Sequence, residues 1–139
     1  MTRWCVDANV VVATLLQEVS SDAAQAFWQN LLDGDEVVAP LILFPECTST
    51  FRWKVVSGEI TEAEGYQLIE DMLSLPISLN ASPAQFRISF DWATRMKRTK
   101  THDLQYLAVA QIQSATLVTL DGGLQQAALE RRVAARILR

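Results

Sequence analysis

Histidine and cysteine are scarce in this sequence, with one His and two Cys among 139 residues. A zinc centre, which draws its ligands largely from those two types, is not expected. Cys5 and Cys47 fall in apolar stretches that read as a buried strand and a buried helix, so they read as small core residues in a reducing compartment rather than as a disulfide. Long apolar runs are missing too. The longest, Val37 to Phe44, is interrupted by Pro40 and falls far short of the roughly 20 residues of a membrane-spanning helix. Arg3 ahead of an apolar stretch superficially resembles a secretory leader, but Asp7 lies inside that stretch and no cleavage pattern follows. A cytoplasmic protein without membrane attachment is expected. There are no internal repeats, low-complexity segments or Pro/Gly/Ser linkers, so residues 1–139 read as a single domain. Nor is there a basic excess: 12 Lys and Arg stand against 16 Asp and Glu, a net charge of −4. That balance argues against a general nucleic-acid binder.

Half of the residues are hydrophobic and a fifth are charged, enough apolar material for a sizeable core. Short apolar runs at Thr2 to Val6, Glu36 to Val38, Pro76 to Leu79, Thr116 to Leu120 and Ala135 to Leu138 read as five strands. Between them apolar residues recur at helical spacing. Val10 to Gln17 is one such stretch, and Asp22 to Asp33, between Ser20-Ser21 and Gly34, is another. A third runs from about Leu41 to Val56 with a core stripe of Leu41, Phe44, Thr48, Phe51 and Val55. Thr61 and Glu64 form a capping box for a helix to Leu73, and Ser82-Pro83 opens a helix carrying Phe86, Phe90, Ala93 and Met96. Thr101 caps Asp103 to Gln113, apolar on most sides and therefore expected against the sheet; a last helix spans Leu124 to Arg131. Strands alternating with helices, without hairpin turns, predict an α/β fold with a parallel five-stranded sheet sandwiched by helices.

In an open parallel sheet the binding crevice lies outside the carboxyl ends of the strands, where strand order reverses. Asp7 directly follows the first strand and Asp121 the fourth. Each is also an ordinary place for a helix cap. Glu46 sits in a helix with no basic residue three or four positions away, so no salt bridge within that helix accounts for it. Asp103 opens the most apolar helix, where it would favour the helix dipole in any case. Four acids at the ends or entrances of buried elements would repel one another unless they hold a cation or take up protons. All-oxygen ligation suits Mg2+ or Mn2+. Without these four acids the chain has 12 basic and 12 acidic residues, which leaves room for local basic clusters.

Four segments carry a family resemblance: Val6-Asp7-Ala8-Asn9, Pro40 to Glu46, Thr101 to Ala110 through His102-Asp103-Leu104, and Leu117 to Leu124 through Thr119-Leu120-Asp121-Gly122-Gly123. In order and spacing they resemble the PIN-domain ribonucleases, in particular the VapC-type toxins of toxin-antitoxin pairs, over nearly the whole chain. The resemblance implies a three-layer α/β/α sandwich with the first and fourth strands adjacent. It also implies an acidic quartet of Asp7, Glu46, Asp103 and Asp121 on Mg2+ or Mn2+, supported by Asn9 and Thr119. The implied activity is hydrolysis of RNA to a 5′-phosphate and a 3′-hydroxyl, and the implied partners are an antitoxin protein and a second copy in a homodimer. The chain departs from the family pattern after the fourth acid, where many relatives carry a further acid or polar group and this chain has Gly122 and Gly123. That weakens the expectation of a second metal.

His102 reads as a solvated helix-entry residue rather than a general base. The densest basic cluster, Arg95, Lys97, Arg98 and Lys100, precedes Asp103, and Arg52 and Lys54 follow Glu46; both are candidates for phosphate contacts or for solvated helix ends. Trp28, Trp53 and Trp92 could stack bases or pack a dimer, with core or interface packing the default for large aromatics. Two other readings remain open. A HAD-like phosphohydrolase would use Asp7 as nucleophile but expects an aspartate where Asn9 stands, and a PIN-like module without catalysis would only bind.

Overall fold

The computed structural model describes residues 1–139. Five short strands form one wholly parallel sheet: β1 (Arg3–Val6), β2 (Glu36–Pro40), β3 (Ile77–Asn80), β4 (Thr116–Thr119) and β5 (Ala135–Ile137), in the order β3-β2-β1-β4-β5. Seven helices connect them: α1 (Ala8–Leu15), α2 (Ser21–Gln29), α3 (Leu43–Val56), α4 (Glu62–Leu73), α5 (Pro83–Arg95), α6 (His102–Ile112) and α7 (Gly122–Glu130). The chain crosses the sheet one way from β1 to β3 and returns the other way from β3 to β5. Right-handed crossovers then place α1 to α4 on one face and α5 to α7 on the other, giving a three-layer α/β/α sandwich. In keeping with this, α1 packs on α2, α3 and α4, while α6 packs on α5, β1, β2 and β4.

Strand order reverses between β1 and β4, which pair directly, Cys5 with Leu117 and Val6 with Val118. The crevice therefore opens at the carboxyl ends of these two strands. Beneath it lies a core cluster of 30 buried residues that includes Cys5, Val6, Val10, Val11, Leu117 and Val118. Leu104 and every residue from there to Ala110 are buried, as expected for a helix apolar on most sides. Both cysteines are free and buried. No helix is long and apolar enough to cross a membrane.

The five strands, the capping box of Thr61 and Glu64, and the Ser82-Pro83 helix start occur where the sequence places them. Three helices differ. The second ends at Gln29, not Asp33, because Leu31 to Asp35 form a turn: the Asp35 carboxylate accepts from the N–H groups of Leu32 and Thr2, and Gly34 takes φ +87°. The third begins at Leu43, since Pro40 belongs to β2; it buries Leu43, Cys47 and Phe51, leaving Leu41 and Thr48 exposed. The fifth is rotated from its expected face. It buries Gln85, Ser89, Trp92 and Ala93 and leaves Phe86 and Phe90 exposed. Gln105 of α6 explains the rotation, because its side chain accepts from Gln85 Nε2 (2.9 Å) and donates to Ser89 Oγ (2.8 Å). Those buried polar groups satisfy one another across the helix pair, so the polar stripe faces inward.

Candidate active site

Asp7 leaves β1 and caps α1. Its Oδ1 accepts from the N–H of Val10 at 3.0 Å, while Oδ2 accepts from the hydroxyl of Thr119 at the end of β4. The same hydroxyl accepts from the N–H of Asp121 at 3.0 Å. Asp121 caps α7 in turn, its Oδ1 accepting from Gly123 at 2.8 Å and Leu124 at 3.3 Å. One threonine thus ties together two acids 114 positions apart, and it can do so because β1 and β4 are neighbours. A Cβ on Gly123 would stand 3.2 Å from Oδ1 of Asp121, so glycine keeps this cap uncrowded.

Glu46 lies in the first turn of α3, half-buried, with Oε1 accepting from the hydroxyl of Tyr106 at 3.0 Å. Tyr106 is buried in α6, three residues beyond Asp103. Asp103 itself is exposed and accepts no side-chain or backbone hydrogen bond beyond the helix ladder. Glu46 and Asp121 each hold one carboxylate oxygen on the protein and leave the other open.

Burial pushes Asp7 up to about 6; the Thr119 and Val10 hydrogen bonds oppose that rise, and the charges of Asp121 and Asp103 add to it. Burial also raises Glu46, opposed by Tyr106 and reinforced by Asp103. The charges of Asp121 and Asp103 thus bear on Asp7, and that of Asp103 bears on Glu46. As the side chains stand, no three His, Cys, Asp or Glu residues are close enough together to hold a metal ion. The donor set is all oxygen and suits a hard divalent ion in kind, while the carboxylates stand apart rather than closed around a point.

A sequence model described as the PIN domain matches residues 4–130. The chain belongs to the PIN-domain family. No curated protein sequence matches it. Among solved structures this PIN domain is similar to VapBC2 from Rickettsia felis bound to a DNA fragment from its promoter, with a TM-score of 0.76 at 13% identity over 99% of this chain and 100% of that one. It is similar to VapC20 of Mycobacterium tuberculosis, a sarcin-ricin loop cleaving toxin, with a TM-score of 0.71 at 12% identity over 89% and 94%. FitAcB from Neisseria gonorrhoeae gives 0.67 at 18% identity over 95% of each chain. At such identities these likenesses show the fold.

Of the two supports named with the quartet, Thr119 is fully buried and bonded to Asp7, whereas Asn9 is exposed and lines a shallow hollow with Asp121, Thr50 and Lys54. His102 is exposed at the start of α6. Two of the basic residues near the site are already committed: Lys54 to Glu59 at 2.9 Å and Glu18 at 3.8 Å, and Arg95 to Asp91 at 2.9 Å. Tyr106 is the support that sequence reasoning missed. Its signal was present, because a tyrosine inside the most apolar helix must find a partner for its hydroxyl.

Proposed function

We propose that this PIN domain is a divalent-metal-dependent endoribonuclease, the toxin of a VapC-type toxin-antitoxin pair, with Asp7, Glu46, Asp103 and Asp121 holding Mg2+ or Mn2+. The observation that carries this reading is the pair Asp7 and Asp121 joined through Thr119 at the carboxyl ends of β1 and β4, with Glu46 and Asp103 lining one hollow at the first turns of α3 and α6. Family membership supports it, as do structural neighbours named as VapBC and FitAB pairs and one named as a loop-cleaving toxin.

A bound divalent ion would supply an acidified water and neutralise charge on the phosphate under attack. The chain's own contribution is orientation. Thr119 and the Val10 amide fix both oxygens of Asp7, and the Gly123 and Leu124 amides fix one oxygen of Asp121. Tyr106 fixes one oxygen of Glu46, and Asp103 brings a carboxylate without protein partners. No histidine is required as a base, and His102 makes no hydrogen bond to any of the four acids.

The test is cleavage of a structured RNA with manganese, with EDTA, and with Asp7→Asn. Cutting is expected with manganese and not with EDTA, and the variant should lose at least about a hundredfold in rate, as removal of a group that binds a catalytic ion would. Cutting by Asp7→Asn at the parent rate rejects the proposal. For the toxin assignment, induced expression should arrest growth with the parent and not with Asp7→Asn.

A further inference from the structure

Beside Glu46 and Asp103 the connection from α5 to α6 borders a hollow of about 460 Å³ whose lining contains no hydrophobic residue. Lys97, Arg98 and Lys100 line it together with the two acids. All three basic residues are exposed, and none forms an ion pair or a side-chain hydrogen bond. Around the site the other cations are taken: Arg52 by Glu62, Lys54 by Glu18 and Glu59, and Arg95 by Asp91.

The connection is also held in place. The N–H of Arg98 donates to the carbonyl of Ala93 at 2.9 Å, and Lys97 adopts φ +54° to close α5. At the other end Gln105 Nε2 donates to Thr101 Oγ1 at 3.3 Å while also bonding Ser89, so the buried polar network that rotates α5 also tethers the loop. Little ordering entropy then remains to be lost at the backbone when a ligand engages the three cations.

We propose that this hollow is a subsite for a non-scissile phosphate of the RNA substrate, held by Lys97, Arg98 and Lys100, so that the substrate strand crosses the α5–α6 connection on one side of the carboxylates. The proposal rests on the nuclease reading above and adds the path of the strand. Cations and carboxylates share the hollow, which suits a ligand with regularly spaced charges: one phosphate meets the cations while its neighbour lies toward the ion-binding acids. The regular spacing of phosphates along a strand is what favours RNA over an acidic protein segment; without a bound ion both are repelled by Glu46 and Asp103 and held by the cations alone. The separate hollow by Asn9 and Asp121 has Lys54 as its one basic residue, and Lys54 is paired with Glu59 and Glu18.

Binding of a fluorescent single-stranded RNA in EDTA, followed by anisotropy at several salt concentrations, tests this without cleavage. The triple variant Lys97→Ala, Arg98→Ala, Lys100→Ala should bind about tenfold or more weakly, and its salt slope should fall by about 2, near 0.7 for each phosphate charge that a single strand no longer has neutralised. Arg52→Ala and Arg95→Ala, which remove paired cations, should bind within about twofold of the parent. In manganese the triple variant should raise KM and leave kcat within about threefold. Thermal melting checks that all variants fold.

Equal binding by parent and triple variant, whether strong or absent, overturns the proposal. So does an equal loss in Arg52→Ala or Arg95→Ala, which would mean diffuse attraction, and so does competition by polyglutamate as effective as that by polyuridylate, which would mean an acidic protein ligand. The two readings fail separately. A parent that binds through the loop but never cleaves removes the nuclease and leaves the phosphate site. Metal-dependent cleavage with unchanged KM in the triple variant does the reverse.

Discussion

Tyr106 and Glu46 stand 60 positions apart, and the phenol of the first donates to Oε1 of the second at 3.0 Å. The bond joins α6 to α3 and leaves Oε2 of Glu46 as its open oxygen. Tyr106→Phe removes the donor and keeps the ring, so a half-buried carboxylate loses its fixed orientation. The expected result is an increase of about tenfold or more in the manganese concentration needed for half-maximal cleavage, the usual scale for losing a group that orients a ligand. Stability should fall by about 1.5–3 kcal/mol, the range for a hydrogen bond to a charged partner. A manganese titration with the same midpoint as the parent would show that Tyr106 serves packing alone.

Asp7 makes the metal-free protein sensitive to pH. Its carboxyl is pushed up to about 6 from 3.8, chiefly by burial, so the folded state binds the proton more tightly than the unfolded state does. More protons on the folded form means that stability falls as pH rises, here between about 4 and about 6, with no further change above that. The contribution lost is about 3 kcal/mol, from a shift of about two units. Comparing Asp7→Asn with the parent isolates it, since other carboxylates titrate in both. The variant should gain on the parent from pH 4 to pH 6 in denaturant unfolding with EDTA, and the gain should shrink when manganese is added. A difference that does not vary with pH would mean that Asp7 is not held up by burial.

The exposed face of α5 gives an energetic test of its rotation. Phe90 is 72% exposed although it looks like a core residue at helical spacing, whereas Trp92 is 8% exposed. Phe90→Gln should change stability by less than about 0.5 kcal/mol, as surface substitutions do. Trp92→Ala should cost about 3–5 kcal/mol. Equal losses in urea unfolding would place both side chains in the core.

The rotation also shows what can be read from sequence and what cannot. β1 and β4 were legible because short apolar runs end in Asp7 and Asp121, and a parallel sheet buries both of its faces. The capping box of Thr61 and Glu64 was legible because its chemistry is local. Where a partner distant in sequence decides the outcome, periodicity alone misleads. Gln105 pulls Gln85 and Ser89 inward, and hydrophobic spacing takes no account of a polar group that is satisfied across a helix pair. The same limit applies to the site. Positions after strands pointed to Asp7 and Asp121, but the threonine bridging them and the tyrosine behind Glu46 act through contacts between elements.

Gly65 links packing back to the site. It is buried in α4, and a Cβ there would lie 2.9 Å from Cγ2 of Val55 in α3. Alanine favours a helix over glycine by about 1 kcal/mol, while overpacking a close contact costs about 1–3 kcal/mol. Gly65→Ala should therefore lose about 1 kcal/mol on balance, and adding Val55→Ala should recover part of the loss, a coupling that a double-mutant cycle in urea would measure. How the clash is relieved matters for function, because α3 carries Glu46 nine residues before Val55. If α3 shifts as a body, the manganese midpoint of Gly65→Ala should move along with stability. If Val55 alone changes rotamer, stability falls and the midpoint stays. A variant as stable as the parent would show that the contact between α3 and α4 has slack, and with it that Glu46 is placed by Tyr106 more than by the packing of its own helix.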